Sequence, residues 1–344
     1  MTSGHSVAPP RDEADLEERL SRPPASLASS LAGVPGDLVI LGAGGKMGPS
    51  LARMAKRADP ARRVVAVSRW SNDAAAEGLR GSGIEIARAD LRDQRSVAGL
   101  PDAANVVFMA GQKFGTASNP SLTWAMNAAV PVLVSERYSA SRTVVFSTGN
   151  VYALTACDRG GSREGDAPAP IGEYAYSCLA RERLFSAACV RHGTPVSIVR
   201  LNYAHDLRYG VLTDLALRLV RGEPVDLRMS CVNVMWQGDA NALALSTLAH
   251  AAAPEPYVVN VAGRDTLRVM ELTRALAVRL GVTPVYTGAE IPEALLSDAT
   301  RSATLLAEPP LPLDTLLDWV ADWVMRGGRL LGKATGFESR DGQF

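Results

Sequence analysis

Short apolar runs alternate with longer amphipathic segments along the chain from Asp37 onward. Runs of about five apolar residues that end at glycine or a polar residue are typical of strands buried on both faces, and longer segments with helical spacing are typical of surface helices. The pattern predicts strands at residues 37–41, 64–68, 84–88, 106–110, 143–147 and 196–200, and helices at residues 47–58, 96–100, 121–138 and 174–192. Strands that alternate with helices in this way predict an α/β fold built on a doubly wound parallel sheet.

The pattern changes beyond residue 200. It predicts helices at residues 211–220, 239–252, 270–280 and 313–325, and strands near residues 231–235 and at 257–261. We expect a smaller lobe, interleaved with the end of the sheet, that closes over the carboxyl ends of the strands, where open α/β sheets bind ligands. The run Val130–Val134 fits a strand or a helix, and we favour a helix kinked at Pro131 because its neighbours leave little room for another strand.

The first predicted strand ends at a glycine cluster, and a helical pattern begins inside that cluster. Glycines allow a tight turn and a close approach of the backbone to a pyrophosphate, and a helix N-terminus offers free N–H groups to the anion. This order of strand, turn and helix predicts a dinucleotide-binding Rossmann unit, although a purely structural turn is the alternative. The residues assigned to the cofactor here are Gly42, Gly45, Lys46, Met47 and Gly48.

The second strand ends in Ser68 and Arg69, where an NAD-binding unit usually has a carboxylate for the ribose hydroxyls. A hydroxyl followed by an arginine suits a 2′-phosphate, because the planar guanidinium matches phosphate geometry. We therefore expect NADP to be preferred over NAD, with Lys46 as a second cation nearby. After the third strand, Asp90 is either a contact of the adenine amino group, with Leu91 beside the ring, or a helix N-cap.

Two later segments carry the candidate catalytic residues. The fifth strand ends in Ser147-Thr148-Gly149-Asn150-Val151-Tyr152, and a helix opens with Glu173-Tyr174-Ala175-Tyr176-Ser177-Cys178. With these segments, residues 37–330 resemble the extended short-chain dehydrogenases/reductases of the NAD-dependent epimerase/dehydratase family. In that family a strand ending Ser-Ser/Thr-x-x-Val-Tyr-Gly brings a hydroxyl to the substrate oxygen, and a helix with Tyr-x-x-x-Lys brings the acid/base. The resemblance implies that Thr148 orients the oxygen and that Tyr174 handles the proton.

Further site residues follow from the same resemblance. Asn127 falls at the asparagine of the family's central helix, and Asn202 falls in the segment that borders the nicotinamide. Ala110 and Gly111, at the end of the fourth strand, are also assigned to the cofactor. We expect four residues to line the substrate cleft, with ordinary packing as the alternative for each: Tyr152, Tyr203, His205 and Trp236.

The sequence departs from the family at Cys178, which stands where the family has its lysine. That lysine holds the nicotinamide ribose and lowers the pKa of the tyrosine, and a thiol does neither well. Taking Tyr176 as the acid/base instead puts Ala180 at the lysine position, which is no better. Cys178 is either a reactive thiol near the cofactor or a small buried residue that fills the space of the lysine. Arg181, on roughly the same helix face as Tyr174, is a candidate source of positive charge.

These features divide the chain into an N-terminal extension (1–36), an NAD(P)-binding Rossmann domain (37–202), a substrate lobe (203–330) and a C-terminal tail outside the resemblance (331–344). In the extension, residues 12–20 could form a short helix. We expect the extension to lie on the domain or to be partly disordered.

Composition narrows the possible functions. The 36 lysines and arginines balance the 36 acidic residues, so the charge does not favour a nucleic acid as partner. No apolar run approaches the roughly 20 residues that span a bilayer, and residues 11–19 are charged where a secretory signal is apolar. The four cysteines and four histidines are scattered, which favours reduced thiols, a cytoplasmic location and no metal site.

Three hypotheses of function follow. The first is an NAD(P)-dependent oxidoreductase or epimerase-type enzyme that acts on a hydroxylated small molecule, such as a sugar or a nucleotide sugar. The second is a dinucleotide-binding regulatory protein without hydride transfer, which the missing lysine favours. In the third, the cofactor only positions a substrate for proton chemistry. Gly149-Asn150 replaces the Asp-Glu pair of sugar dehydratases, which disfavours simple dehydration. By resemblance, the helices at residues 121–138 and 174–192 would form a homodimer.

Overall fold

A parallel sheet of seven strands forms the centre of the computed structural model, which describes residues 7–71 and 73–343. In chain order the strands are β1 Leu38–Leu41, β2 Val64–Ser68, β3 Glu85–Arg88, β4 Asn105–Phe108, β5 Arg142–Thr148, β6 Val196–Leu201 and β7 Tyr257–Val261. Their order across the sheet is β7-β6-β5-β4-β1-β2-β3, and every pair is parallel. The predicted α/β fold is therefore confirmed, with strand ends within two residues of the predicted ones.

The strand order reverses between β1 and β4. From β1 the chain runs outward through β2 and β3, and it then returns to place β4 on the other side of β1. In the register, Leu41 lies opposite Val67 of β2 and Phe108 of β4, so these three strands end at the same level. Such a reversal leaves a crevice at the carboxyl ends of the strands, where doubly wound sheets bind ligands.

Helices cover both faces of this sheet. Alternate strand residues point to opposite faces, and each face is buried under helices: Ile40 and Ala66 on one side, Val39 and Val65 on the other. The helices are α1 Glu13–Leu20, α2 Ala25–Ala32, α3 Gly48–Ala58, α4 Asp73–Arg80, α5 Gln94–Ala98, α6 Pro120–Trp124, α7 Val130–Arg137, α8 Gly172–His192, α9 Val211–Val220, α10 Gln237–Ser246, α11 Val269–Leu280 and α12 Leu313–Met325. All but α2 and α4 were expected from the sequence, and α10 is shorter than predicted because a 3₁₀ turn, Thr247–His250, follows it.

Helices α6 and α7 are joined by a π-helical turn, Ala125–Ala129, into one helical segment. The sequence predicted a helix kinked at Pro131. Proline has no N–H to give to the carbonyl of Asn127 four residues earlier, so the regular hydrogen-bond ladder is interrupted at this point. The wider π turn accommodates the interruption, and π turns are frequent at functional sites.

The N-terminal extension is folded onto the rest of the chain from Val7 onward. Leu16 and Leu20 of α1 are fully buried in the core of the lobe, whereas Leu27 and Leu31 of α2 are fully buried against one face of the sheet. Partial disorder, one of the two expectations, is therefore wrong for residues 7–36. The first six residues of the extension lie outside the described residues, as does the last residue of the tail.

The second half of the chain forms a smaller lobe around α9, α11 and α12, whose apolar faces share one core. Strand β7 returns from this lobe to the edge of the main sheet beside β6. The tail after α12 folds back onto the lobe, where Phe337 is 1 % exposed. None of the helices in the described part of the chain is long and apolar enough to cross a membrane.

Candidate functional site

A cleft of about 340 Å³ lies at the carboxyl ends of β1, β4, β5 and β6. Four segments line it: the glycine turn after β1, the loop after β4, the end of β5 with the start of α8, and the segment after β6. Thr335 of the tail also reaches it. The lining residues with polar or reactive groups are Lys46, Gln112, Lys113, Ser147, Thr148, Asn150, Tyr174, Arg181, Asn202, Tyr203, Tyr209, Gln237 and Thr335.

The glycine turn has the shape that a dinucleotide requires. Gly42 has a φ of +92°, and a Cβ there would lie 2.6 Å from the backbone nitrogen of Ala110. A Cβ on Gly48 would lie 2.2 Å from the carbonyl oxygen of Ala43, so both positions exclude a side chain within the protein. Gly45 is exposed, and its backbone faces the cleft at the entry to α3. This is the position at which an anion can approach the free N–H groups of a helix.

The segment after β2 presents Arg69 to solvent. Trp70 adopts a φ of +49° and is buried, with its indole N–H donated to the carbonyl of Ala87. This anchors the loop and leaves Arg69 exposed beside Ser68, whose hydroxyl borders Gly44 of the glycine turn. The arrangement suits recognition of a phosphate at the adenosine end.

Asp90 is held by a neighbour rather than by a helix. Its carboxylate accepts from the backbone and guanidinium of Arg92, at 3.0 and 2.6 Å, and this pairing lowers its pKa to about 2. Helix α5 is capped by Asp93 instead, so the N-cap alternative for Asp90 is wrong. Leu91 is 6 % exposed and packs in the core under the sheet.

Tyr174, Thr148 and Cys178 meet at one corner of the cleft. The three side chains adjoin, since Thr148 acts to lower the pKa of Tyr174 and Cys178 acts to raise it. Burial, and then Cys178, raise the pKa of Tyr174 well above its usual range, whereas the charge of Arg181 lowers it. Tyr176, two residues further along, is 54 % exposed and points to solvent, so the helix presents Tyr174 to the cleft.

Cys178 is fully buried against Val151 and Tyr152. Burial raises the pKa of its thiol, with the charge of Arg181 acting in the opposite direction. A buried thiol with a raised pKa is a weak nucleophile. The surroundings therefore favour the packing interpretation of Cys178 over the reactive one.

Arg181 brings a buried positive charge to the same corner. It is 5 % exposed and donates to the carbonyl oxygen of Phe146 at 2.7 Å and to the amide oxygen of Asn127 at 2.6 Å. Among residues 7–71 and 73–343, no carboxylate lies within 4.0 Å of its guanidinium. Asn127 also donates to Ser177 of α8 at 2.9 Å and exchanges hydrogen bonds with the backbone of Gln112. The π turn, α8 and the loop after β4 are thus joined by one polar network.

A second buried network lies beneath Thr148. Arg200 of β6 pairs with Glu182 of α8 at 2.7 Å, and Glu182 also accepts from Ser147 at 2.5 Å. Arg200 donates to the Tyr152 hydroxyl at 2.7 Å, and that hydroxyl donates to Asn260 of β7 at 2.8 Å. The network fixes α8 against the ends of β5, β6 and β7, and so it fixes the height of Tyr174 above the sheet.

The structure separates these predicted site residues into three groups. The cleft is lined by Gly42, Gly45, Lys46, Met47, Gly111, Thr148, Tyr174, Asn202 and Tyr203, whereas Gly48, Ala110, Asn127 and Cys178 support it from behind. Tyr152, His205 and Trp236 lie away from the cleft, in contrast to what we expected. Tyr152 is committed to the buried network, and Trp236 packs edge-on against Trp319 with ring centroids 5.4 Å apart.

His205 is fully buried, and neither ring nitrogen has a hydrogen-bond partner. Burial lowers its pKa to about 3. The short strand Ala204–His205 explains this placement, since adjacent strand residues point in opposite directions and Ala204 is the one that faces the cleft.

Several cleft residues were not expected from the sequence: Gln112, Lys113, Phe114, Tyr209 and Thr335. Phe114 and Tyr209 lie in loops without a recognisable pattern. Lys113 could have been noticed from composition, because lysine is rare in this chain: only four of its 36 lysines and arginines are lysines. Within the described part of the chain, no group of three or more histidine, cysteine, aspartate or glutamate side chains could hold a metal ion.

Comparison with known proteins places this fold and cleft in a family. A sequence model of the NAD dependent epimerase/dehydratase family matches residues 38–227, more than half of the chain. None of the curated proteins compared matches the chain.

Several solved structures share the fold. They include the UDP-Glc/GlcNAc 4-epimerase from Campylobacter jejuni (TM-score 0.71, 20 % identity, covering 84 % of this chain and 99 % of that one). The UDP-glucuronic acid 4-epimerase from Bacillus cereus in complex with NAD gives a TM-score of 0.69 at 16 % identity over 84 % and 96 % of the two chains. MoeE5 in complex with UDP-glucose and NAD gives 0.68 at 23 % identity over 85 % and 99 %. From the matched segment and the shared fold, the chain belongs to the NAD-dependent epimerase/dehydratase family.

Proposed function

We propose that the protein is an NAD(P)-dependent enzyme that acts at a hydroxyl-bearing carbon of a small molecule such as a sugar or a nucleotide sugar. One observation carries this proposal: Tyr174 and Thr148 line the same cleft as the glycine turn Gly42–Gly48. The solved relatives described above are complexed with NAD or are named as UDP-sugar epimerases, which supports the same chemistry.

The residues at the glycine turn fit a dinucleotide. Gly42 and Gly48 exclude side chains where the turn packs against Ala110 and Ala43, and Gly45 leaves the backbone open toward the cleft. Gly45, Lys46 and Met47 would hold the pyrophosphate at the start of α3, and Gly111 and Asn202 would border the nicotinamide end. When bound, the nicotinamide supplies hydride chemistry at the reacting carbon.

The side chains of this protein supply the proton and the orientation. Tyr174 would take the proton from the substrate hydroxyl as a carbonyl forms and return it in the reverse direction. Thr148, which lines the cleft beside that tyrosine, would orient the same substrate oxygen. Asn127 would act through its bonds to Ser177 and Arg181, which hold α8 in position, and so it is a positioning residue.

Arg181 would supply the positive charge that the family's lysine usually provides. Its guanidinium is buried beside Tyr174 and Cys178, and its charge lowers the pKa of both groups. An opposite charge within about 4–6 Å favours the ionised form of an acid, typically by 1–3 pKa units. The arrangement would thus keep tyrosine-dependent proton transfer possible with Cys178 at the lysine position.

NADP is the cofactor we propose as preferred. Arg69 is exposed at the end of β2, and Ser68 offers a hydroxyl where a carboxylate would exclude a 2′-phosphate. Asp90, whose carboxylate is paired with Arg92, would contact the adenine amino group. Leu91, buried beneath the sheet, would support the adenine site from behind.

Cofactor titration tests the proposal first. Purified protein is titrated with NADPH and NADH while the nicotinamide fluorescence is followed, and Arg69→Gln is compared with the exposed control Arg95→Gln. We expect NADPH to bind more tightly than NADH and Arg69→Gln to weaken NADPH alone, by about tenfold. If neither cofactor binds at high micromolar concentration, the proposed function fails.

Turnover distinguishes the enzyme from its alternatives. In a screen of sugars and nucleotide sugars, Tyr174→Phe and Thr148→Val should bind NADPH as the parent does and lose at least 10²-fold in turnover. A regulatory protein, the alternative that Cys178 favours, would bind the cofactor and turn over none of these compounds. Proton exchange into a substrate without a change in cofactor absorbance would instead indicate proton chemistry alone.

The proposal includes a homodimer in the cytoplasm. Large apolar side chains are exposed on the paired helices: Trp124 at 39 % on α6, Val132 at 43 % on α7, and Tyr176 at 54 % and Val190 at 70 % on α8. These helices would form a four-helix contact with a second copy, and light scattering after chromatography measures the mass. We expect Val190→Asp to shift the protein to monomer, with exposed Val278→Asp on α11 as the control.

A further inference from the structure

Lysine is rare in this chain, and three of its four lysines lie around one aromatic ring. The chain has four lysines, at positions 46, 56, 113 and 333, among 36 lysines and arginines. Three of them surround the ring of Phe114: the ammonium groups of Lys46, Lys113 and Lys333 lie 4.3, 5.7 and 5.6 Å from its centroid. These three come from the glycine turn, the loop after β4 and the tail, which are far apart in sequence.

From this convergence, we propose that Lys46, Lys113 and Lys333 form a binding site for an anionic group of the substrate, a carboxylate or a phosphate ester. The inference rests on the proposed function for the identity of the substrate site. It adds the chemical class of the molecule: a hydroxylated compound with an acidic group close to the carbon that reacts.

The position of the cluster decides where the anion lies. The Lys113 ammonium is 5.9 Å from the centroid of the Tyr174 ring and donates to the carbonyl of Thr335 at 3.1 Å. The Lys46 side chain leaves the glycine turn and sits 3.1 Å from the centroid of the Tyr209 ring. Lys113 thus lies beside the proton-handling tyrosine and shares the Phe114 ring with Lys46, so an anion bound by both would lie near the reacting carbon.

The positive charges of Lys333 and Lys113 act against the charged form of Lys46. Burial, followed by the charges of Lys333 and Lys113, lowers the pKa of Lys46 to about 7, and burial lowers the pKa of Lys113 to about 8. Asp214, whose charge acts to raise the pKa of both lysines, is engaged by the backbone and hydroxyl of Thr335, at 2.7 and 2.6 Å. A bound anion would favour the charged form of both lysines.

The tail completes the site. Thr335 is buried, and Phe337 is fixed in the core of the lobe, so residues 333–337 have a defined course over the cleft. Lys333 itself is exposed, with its ammonium directed to the Phe114 ring. Its removal therefore takes one charge from the site with little risk to the fold.

The small number of lysines permits a direct test. Reductive ¹³C-methylation keeps the charge of each lysine and gives four lysine signals, which single Lys→Arg variants assign. Lys56 is the internal control, because its ammonium donates to the carbonyls of Pro60 and Arg62 outside the cleft. The signals are followed over pH 6–11, first alone and then with inorganic phosphate, malonate or NADPH.

We expect Lys46 and Lys113 to titrate below the usual range of lysine, and phosphate or malonate to raise their midpoints by about one pH unit without moving the Lys56 signal. Lys333→Met should weaken the phosphate or malonate response about tenfold and leave the affinity for NADPH within twofold, whereas Lys56→Met should change neither. A stronger response to malonate indicates a carboxylate, and a stronger response to phosphate indicates a phosphate ester.

Two results would overturn the inference. One is that neither anion moves the signals of the cleft lysines at millimolar concentration. The other is that only NADPH moves them and Lys333→Met weakens NADPH, which would assign the cluster to the cofactor. Anion-dependent shifts without any binding of NADPH would support the anion site and refute the proposed function, so the two failures are distinguishable.

Discussion

His205 gives a quantitative prediction of acid sensitivity. The ring is fully buried with both nitrogens unpartnered, and burial lowers its pKa from the model-compound value of 6.5 to about 3. Below pH 6.5 the unfolded chain binds a proton at this histidine and the folded chain does not. The free energy of unfolding therefore falls as the pH falls from 6.5 toward 3, and the contribution is fully present above 6.5.

The magnitude follows from the difference in pKa. Each pH unit between the two pKa values costs about 1.4 kcal/mol of the free energy of unfolding. Between pH 7.5 and pH 5 the loss from this one group is thus about 2 kcal/mol. It is independent of the precise folded-state pKa, because pH 5 lies well above it.

The assay is urea unfolding of the parent and of His205→Leu at pH 7.5 and pH 5, with exposed His250→Gln as the control. We expect His205→Leu to lose about 2 kcal/mol less stability than the parent on acidification, and His250→Gln to behave as the parent. An equal loss in the parent and His205→Leu would show that the imidazole does not stay neutral in the folded protein, and the burial argument would be refuted.

Three further predictions concern the site and its support. Arg181→Met should move the limb of the pH–rate profile that Tyr174 controls upward by about 1–3 pH units, and Cys178→Lys in that background should move it back; an unchanged profile would remove Arg181 from its proposed role. Glu182→Gln leaves Arg200 as a buried unpaired charge and should lower the free energy of unfolding, measured in urea, by about 3–5 kcal/mol. The double variant Glu182→Gln with Arg200→Met should recover most of that loss. Gly48→Ala should destabilise the fold because its Cβ meets the Ala43 carbonyl, whereas Gly45→Ala should stay folded and weaken NADPH; equal melting temperatures for the two variants would contradict this.

The sequence was sufficient for the sheet because each strand is a short apolar run buried on both faces. Strands such as Val64–Ser68 and Tyr257–Val261 match the prediction to the residue. Helices α2 and α4 were not predicted, and their composition explains why. Helix α2 is serine-rich with only Leu27 and Leu31 facing the core, and α4 is short and carries Gly78 near its end.

Site residues were predictable where a sequence motif places a reactive group at the end of a strand or the start of a helix. They were not predictable where contacts between distant parts of the chain determine the position of the side chain. Gly42, Thr148 and Tyr174 lie together in the cleft because each ends or begins an element at the same edge of the sheet. The orientation of His205 depends on which of two adjacent strand residues faces the cleft, and the flanking motif does not reveal this. Thr335 reaches the cleft through its hydrogen bonds to Asp214, across more than 100 residues of chain, and Phe337 packs in the core of the lobe beside it.

The N-terminal extension has a mechanical consequence for ligand exchange. Glu17 of α1 pairs with Arg53 of α3 at 2.6 Å and with Arg208, beside the lobe, at 2.7 Å. Since α1 is buried in the lobe and α2 against the sheet, a hinge motion between the two halves would have to pull leucines out of both cores. The extension thus ties the lobe to the sheet, and ligand exchange would depend on local movement of the loops and tail that line the cleft.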